Sequence, residues 1–539
     1  MRYTVKTIVL LMAFVLLLDA ISIPSMAVSM PEKVRIGLFY EKSSVTSFKI
    51  SADKGLQLGY ITKGNNFISL YEDPSNNTVT IRKDGYFFVN DDIYNEYNPT
   101  DKNIPEGDRL GPYHIQIGSN LSGIKEASEK VLEYNSRGIK AYQVYSDGWR
   151  VWTGFYTDSK AAQNDADKFS VLLGRISCNV VQPSVTRILC LSAQKSILLM
   201  FDSASADFQI HPRSENVPYL INVNGRRYRG DIEVIRFKGS DMTVINIVPF
   251  EEYLYGVVPS EIGANSHIEA LKAQAVVSRT YVVNNLGKYK KWNFNLCNST
   301  ESQVYKGYDG ETAITNKAVD DTKEKILTYN GNSAWVYYGA SNGGITEEPK
   351  NVWNSEVTYP YIKSFVDPYD PMKEYTTLLT SDNIKTITKG ELGNIVNVEV
   401  TKRAESGRVI ELIISGTNGQ KKTYYREACR RIFGLKSQLY TISTDADIII
   451  KGGSGKAQLP GKKVITAYGV SLIKGLKATV IGADGKKRTV QSIPTVYIFT
   501  QKGYGHAVGM SQEGAKVMAK AGKTYIEILK FYFSGTEVE

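Results

Sequence analysis

The sequence predicts an α+β chain, β-rich and multidomain, built of antiparallel strands and a few helices. Three observations predict this. First, 539 residues, at about 100–200 per domain, suggest roughly three domains, each long enough to bury a core. Second, short alternations of apolar and polar residues bounded by turn signals outnumber the helical patterns. Third, Tyr is abundant (35) and Pro modest (17), which suits twisted sheet. A hydrophobic fraction of 42% with 22% charged excludes a disordered or collagen-like chain.

The elements follow in order. Met1–Lys6 is a short basic start, Ile8–Leu18 an uncharged apolar run closed by Asp19, and Ser25-Met26-Ala27 a small-residue cleavage signal. This reads as a signal peptide over 1–27, because the apolar run is too short to span about 30 Å of hydrocarbon comfortably. An uncleaved anchor stays open as the alternative, with contact to a membrane only in that case. No Cys sits at the cleavage point, and no later segment reaches 18 uncharged apolar residues. Residues 28–135 read as an N-terminal β-rich module, with strands near 33–50, 56–60 and 78–88 and turns at Asp73–Asn77 and Lys83-Asp84-Gly85. Over 136–210, strand, turn, strand and the polar helix Asp158–Leu173 resemble half of a SPOR-type repeat, a small α+β module that binds glycan strands. Short strands continue to Val248, with Asn224-Gly225 as a hairpin signal. A helix is predicted from Ser266 to about Asn285, with Ser266 and Glu269 at capping-box spacing and Lys272 and Arg279 on one face. More strands fill 395–445 and a β insertion near 445–500. Thr524–Phe533 closes the chain as a helix.

The formal net charge is +10, and removal of 1–27 with Arg2, Lys6 and Asp19 leaves +9. An exported basic chain is suited to an anionic wall polymer, and its compartment excludes nucleic acid as a partner. The charge is spread along the chain, so a solvated surface explains part of it. Only four His (His114, His211, His267, His506) and four Cys (Cys178, Cys190, Cys297, Cys429) are present. They are scattered, which argues against a multi-histidine metal enzyme or a disulfide framework. The compartment permits a Cys178–Cys190 disulfide without requiring it.

Several motifs fail on spacing. Gly452-Gly-Ser-Gly-Lys456 lacks the first Gly and the hydroxyl of a phosphate loop, Gly503–Gly509 is one residue too long for a dinucleotide fingerprint, and Gly509–Gly514 misses the nucleophile elbow by one position. The informative region is 246–282. Glu261 is expected in a turn after an apolar strand, just before the helix, among Val257, Val258, Pro259 and Ile262. Apolar surroundings favour a protonated carboxyl, as a general acid requires, whereas Lys272 or Arg279 nearby would oppose it.

The run Val248-Pro-Phe-Glu-Glu-Tyr-Leu-Tyr-Gly-Val-Val-Pro-Ser-Glu261, followed by Glu269–Tyr281, resembles the stage II sporulation protein D (SpoIID/LytB) family. Three further blocks agree in order: Ser302-Gln303-Val-Tyr305-Lys-Gly307; Val336–Glu347 with Val352-Trp353-Asn354 and Pro360-Tyr-Ile362; and Gly503–Ala515 with Tyr525–Thr536. The resemblance is strong over about 228–370 and 495–539 and moderate over 395–440. It implies a SpoIID-like catalytic domain over 211–539.

It also implies an exported peptidoglycan lytic transglycosylase of the cell wall, acting in sporulation or wall remodelling on glycan strands stripped of peptides. Glu261 would be the single general acid/base. It would protonate the oxygen between MurNAc and GlcNAc and then accept the 6-hydroxyl proton as a 1,6-anhydro end closes. Hydrolases need a second carboxylate, and Glu261 has no obvious acidic partner. Lys272 and Arg279 would bind the lactyl carboxylate or developing charge, and Gln303, Tyr305 and Ser341 the sugar hydroxyls. Gly343 and Gly344 would let a backbone approach closely, and His506, Ser511 and Gln512 would line the cleft. Trp353 reads as core rather than as a sugar platform. Family members often carry a zinc-binding Cys-rich segment just before the Gln-Val-Tyr block. Here only Cys297 remains, with Glu301 and Ser302 in place of other ligands, so no metal and no cofactor are expected. The alternative is a non-catalytic wall-binding enhancer of an N-acetylmuramoyl-L-alanine amidase, which would be its partner.

Overall fold

The computed structural model describes residues 30–539 except 63, 65, 74–76, 91–92, 105–106, 214–217, 447–448, 453–454, 459–462, 467–468, 473–476 and 482–483. The expected signal segment, 1–27, lies outside the described residues. The chain is α+β, as predicted, and divides into two compact units. One joins Met30–Ala264 to Asn285–Asp320; the other joins Asn265–Asn284 to Asp321–Glu539.

The first unit holds a seven-stranded and a ten-stranded sheet. In the seven-stranded sheet Lys33–Phe39 lies between Met242–Pro249 and Leu296–Cys297, and Lys33 faces Pro249 in antiparallel register. Met242–Pro249 reads Met-Thr-Val-Ile-Asn-Ile-Val-Pro and is buried on both faces up to Pro249, which explains its lack of polar alternation. Asn224 and Gly225, with φ of 50° and 87°, make the expected tight turn between Leu220–Val223 and Arg226–Arg229.

Within the ten-stranded sheet, Tyr113–Ile117, helix α1 (Ile124–Ser136), Ala141–Tyr145, Trp149–Tyr156, helix α2 (Ser159–Leu172) and Cys178–Val181 form a βαββαβ unit. Its strands lie in the order fourth, first, third, second, that of a split βαβ fold. Ala127 and Tyr134 of α1 and Ala162 and Ala166 of α2 bury against one face. The other face is buried as well: Trp152 is 2% exposed under the Arg187 guanidinium, 4.8 Å from its ring, and His114 lies 3.1 Å from Asp84. Burial would push the Asp84 carboxyl up, but His114 and Arg187 outweigh it and hold the carboxyl below its ordinary range.

This arrangement revises the expected boundaries. The βαββαβ unit starts at Tyr113, so its first strand lies before residue 136 and its first helix ends on it, and both sheets draw strands from before residue 135 and after residue 210. Local turn signals mark where strands end, whereas the sheets are assembled by pairing across long sequence separations. All four cysteines are free thiols. Cys178 and Cys190 lie on strands with four others between them in the sheet, about 24 Å apart at 4.8 Å per strand, against the 7 Å limit for a disulfide.

In the second unit, strands Glu374–Thr380, Val496–Lys502 and Tyr440–Thr444 form one sheet and Ile395–Arg403, Val409–Gly416 and Lys421–Tyr425 another. Ile384, Val398, Leu412, Ile414, Phe433, Tyr497 and Phe499 pack as their shared core. The expected insertion leaves after Tyr440–Thr444 and returns at Val496–Lys502, which are antiparallel neighbours with Thr444 opposite Tyr497. Asp445 closes the neck by accepting from the backbone N–H groups of Thr495 (2.9 Å) and Val496 (3.2 Å). Beyond the neck, the described residues form three two-stranded antiparallel pairs between Ile449 and Gln491.

Candidate functional site

One expectation is corrected at the site. The apolar run after Pro249 is not a strand and turn but helix α3 (Phe250–Ile262), with Glu261 in its last turn. Pro249 is the N-cap, and Glu251 and Glu252 sit in the first turn, where the helix dipole favours acidic groups. Pro259 lies late enough that it removes one helical N–H without ending the helix. Next to it, Ser260 Oγ donates to the Gly256 carbonyl at 2.7 Å. Gly263, at φ 89°, ends the helix by donating its N–H to the Pro259 carbonyl.

Glu261 is half-buried, and its Oε1 accepts the Val304 backbone N–H at 2.6 Å. The Gln-Val-Tyr block therefore supplies its holding group from the backbone. The flanking side chains lock that segment. Gln303 is fully buried and its Oε1 accepts from Tyr253 Oη at 3.1 Å. Tyr305 is 2% exposed, donates to Asn246 Oδ1 at 2.9 Å and packs on Tyr253 at 4.9 Å between ring centroids. A Cβ on Gly256 would stand 2.6 Å from the Tyr305 ring and 2.9 Å from the Gly307 carbonyl oxygen, so α3 approaches this segment only through a glycine. Gly307 is itself fixed by a φ of 71° and by the Arg227 carbonyl, 2.3 Å from where its Cβ would be. Gln303 and Tyr305, expected to touch sugar, are thus packed behind Glu261.

The other candidates lie in the second unit. Helix α4 (Ile268–Asn285) begins two residues after Ser266, and Glu269 gives its carboxylate to the Tyr525 N–H (2.7 Å) and Lys272 (3.5 Å). Lys272 also pairs with Asp321 at 3.1 Å, and the buried Arg279 donates to the Lys325 carbonyl at 2.9 Å. Gln512 is buried and donates to Gln274 of α4 at 3.3 Å.

Ser341 and Ser511, 170 residues apart, meet on one buried carboxylate: Asp370 accepts from Ser341 Oγ (2.8 Å), Asn342 N (2.8 Å), Met372 N (3.0 Å) and Ser511 Oγ (2.7 Å). Ser511 Oγ also accepts from Gly514 N at 3.1 Å as the N-cap of helix α5 (Gln512–Lys520). Gly343, at φ 70°, does meet a backbone, that of Lys502–Gly503 in the same chain, at 2.8 Å from its notional Cβ, whereas Gly344 faces the Met372 sulfur at 2.6 Å. His506 lies 5.0 Å from the Trp353 ring, and its Nδ1 accepts from Val508 N at 3.0 Å. Burial, with help from the Arg430 charge, pushes its pKa down to about 4, so the ring is neutral at pH 7. Sequence reasoning missed Asp370, Tyr253, Asn246 and Gly256. The turn-forming Asp367-Pro-Tyr-Asp370 run hints at a structural carboxylate, but its partners are too distant in sequence to identify.

Among the described residues no group of three or more His, Cys, Asp or Glu converges as a metal site. Cys297 is instead ringed by hydroxyls: Ser299 Oγ at 3.3 Å and Ser302 Oγ and Tyr289 Oη at 3.4 Å. Burial raises the thiol pKa, but these hydroxyls outweigh it and hold it below its ordinary value.

Comparison with known proteins supports the same region. A family model described as stage II sporulation protein (SpoIID) matches residues 238–329. The chain is 32% identical over 356 residues to a protein named amidase enhancer from Bacillus subtilis (strain 168), covering 61% of this chain and 46% of that protein, so it spans about half of that relative. It is 28% identical over 321 residues to stage II sporulation protein D of the same strain, covering 56% of this chain and 77% of that protein. An uncharacterized protein of Brachyspira hyodysenteriae is 29% identical over 327 residues, with 59% and 73% covered.

Proposed function

Because this chain belongs to the stage II sporulation protein D family, we propose that it is an exported cell-wall enzyme, a lytic transglycosylase that cleaves peptidoglycan glycan strands with Glu261 as its single general acid/base. The observation that carries the reading is the placement of Glu261: a half-buried carboxyl on the last turn of a packed helix, oriented by the Val304 N–H at 2.6 Å. Such fixed geometry is what a group that donates and then recovers a proton at one atom needs. The protonated Glu261 gives its proton to the glycosidic oxygen between MurNAc and GlcNAc, and the bond to the anomeric carbon breaks. The resulting carboxylate takes the proton of the MurNAc 6-hydroxyl while that oxygen bonds to the anomeric carbon. A 1,6-anhydro end forms, Glu261 is again protonated, and no water is consumed.

Gln303 and Tyr305 hold the segment that carries Val304, and Ser341 and Ser511 hold the fold through Asp370. Lys272 and His506, both half-buried, are the better candidates for sugar contact. The βαββαβ unit is assigned a second contact with wall glycan, in keeping with its SPOR-like order. No helix among the described residues is long and apolar enough to cross a membrane. The test incubates the chain and its Glu261→Gln variant with peptide-free glycan strands and seeks 1,6-anhydro-MurNAc ends by mass spectrometry. Products from the native chain and none from the variant are expected; equal products from both remove Glu261 from the reaction.

A second reading rests on the relative named amidase enhancer. In it the chain binds wall glycan without cutting and raises the rate of an N-acetylmuramoyl-L-alanine amidase. Absence of anhydro ends together with faster amidase turnover would favour this reading.

A further inference from the structure

A band of aromatic rings crosses the surface of the second unit. Trp335 exposes 40% of its surface, Tyr337, Trp353 and Tyr359 are half-buried, and Tyr361 anchors the band from the interior. Successive centroids are close: Trp335–Tyr359 6.4 Å, Tyr359–Tyr361 5.9 Å, Tyr359–Tyr337 6.5 Å, Tyr337–Trp353 4.8 Å. His506 continues it 5.0 Å beyond Trp353. The planes of these five pairs are inclined by 33° to 57°, and none is edge-on. Tyr361 Oη accepts the Trp335 backbone N–H at 2.8 Å, which ties the two segments of the band together.

We propose that this band is a stacking platform for the sugar rings of a peptide-free glycan strand, a binding surface of the second unit that rests on the proposed wall-glycan function. Pyranose rings present flat C–H faces beside hydroxyls. Half-exposed Trp and Tyr offer the matching pair, an apolar face and a polar edge. Charge points the same way. A hollow of about 250 Å³ beside Tyr359 and Pro360 is rimmed by Lys350, Lys363 and Glu348; Lys350 and Glu348 pair with each other, which leaves the exposed Lys363 as the excess charge. That rim suits the lactyl carboxylate of MurNAc. Tyr337, Trp353 and Tyr361 belong to the Val336–Glu347, Val352–Asn354 and Pro360–Ile362 blocks, and Trp335 and Tyr359 each lie one residue before such a block, which gives those blocks a task. Trp353, expected to be core, becomes the inner end of the platform.

The test measures binding of peptide-free glycan oligomers by titration calorimetry to the full chain carrying Glu261→Gln, which holds substrate uncut. Trp335→Ala and Tyr359→Ala are each added to it. Each is expected to weaken binding by about 3- to 10-fold, whereas Trp335→Tyr retains most of the affinity. Trp335 is exposed, so an unchanged melting curve is expected and checks folding. Unchanged affinity in both Ala variants would overturn the platform. Loss of binding to lipid vesicles or to an amidase, with glycan affinity intact, would equally overturn it. Native chain that binds through Trp335 but yields no anhydro ends would sink the enzyme and leave the platform standing. Cleavage with affinity indifferent to both rings would do the reverse.

Discussion

Replacing Gly256 with Ala sets two opposed effects against each other inside helix α3. Alanine is favoured over glycine in a helix interior by about 1 kcal/mol, so on propensity alone the variant gains stability. The new methyl, however, would stand 2.6 Å from the Tyr305 ring, where ordinary carbon contacts begin near 3.5 Å. Tyr305 must therefore retreat by roughly 1 Å. It cannot do so cheaply, because its hydroxyl is bonded to the buried Asn246 and the Gly307 carbonyl is also in the way, 2.9 Å from the methyl. Overpacking of this kind costs about 1–3 kcal/mol, and with backbone as the obstacle the upper part of that range applies. The clash wins, and a net loss of about 1–2 kcal/mol is expected as a lower urea midpoint at unchanged slope. Val304 precedes Tyr305, so the same shift moves the N–H that orients Glu261. A misplacement of about 1 Å at a reacting group costs on the order of 100-fold in rate. The assay follows the release of 1,6-anhydro ends beside the urea midpoint. A Gly256→Ala protein as stable as the native chain, with a rate within a factor of about two of it, would refute the reasoning, since propensity would then have prevailed.

Two further outcomes follow from the second unit. His506 has a folded pKa near 4 against an ordinary value of 6.5, so between those values the unfolded chain binds more protons and stability rises with pH. Its contribution is fully present above about pH 6.5 and is lost as pH falls toward 4, by at most about 3 kcal/mol; unfolding of His506→Gln should show a shallower loss across that window, and an identical pH profile would contradict it. Asp370→Ala strands four donors in the interior and should cost about 3–5 kcal/mol, whereas Ser511→Ala loses one bond to Asp370 and an N-cap and should cost about 1–2 kcal/mol. Thermal melts check both, and a Ser511→Ala protein of native stability with a raised KM would return Ser511 to sugar binding.

Much of the local structure was legible in the sequence. The Asn224-Gly225 turn, the long helix ending at Asn285 and the closing helix Tyr525–Tyr532, with its Thr524–Glu527 capping box, each follow from signals within a few residues. Helix α3 was not legible, because a helix buried nearly all round shows no polar face, and Pro259 mimics a stop signal. The βαββαβ unit was seen only in its second half: α1 carries an apolar stripe at helical spacing, Ile124, Ala127, Val131 and Tyr134, but nothing local in it says which strands it joins. At the site, Glu261 was reached through the motif that contains it. Its holding group is a backbone N–H, which no residue type advertises, and Ser341 and Ser511 meet only through a third residue distant from at least one of them. Side-chain chemistry suggested sugar contacts for residues that folding had already used.

The pinched neck at Asp445 has an evolutionary corollary. A segment that exits and re-enters on adjacent paired strands asks nothing of its own length or content, and the entropy of closing such a loop grows only logarithmically with its size. The sheet beneath is complete without it. This corner of the molecule is thus a socket at which hairpins can be lost, lengthened or exchanged while the sheet beneath stays the same, and it is the natural place to fuse a reporter or a foreign wall-targeting module.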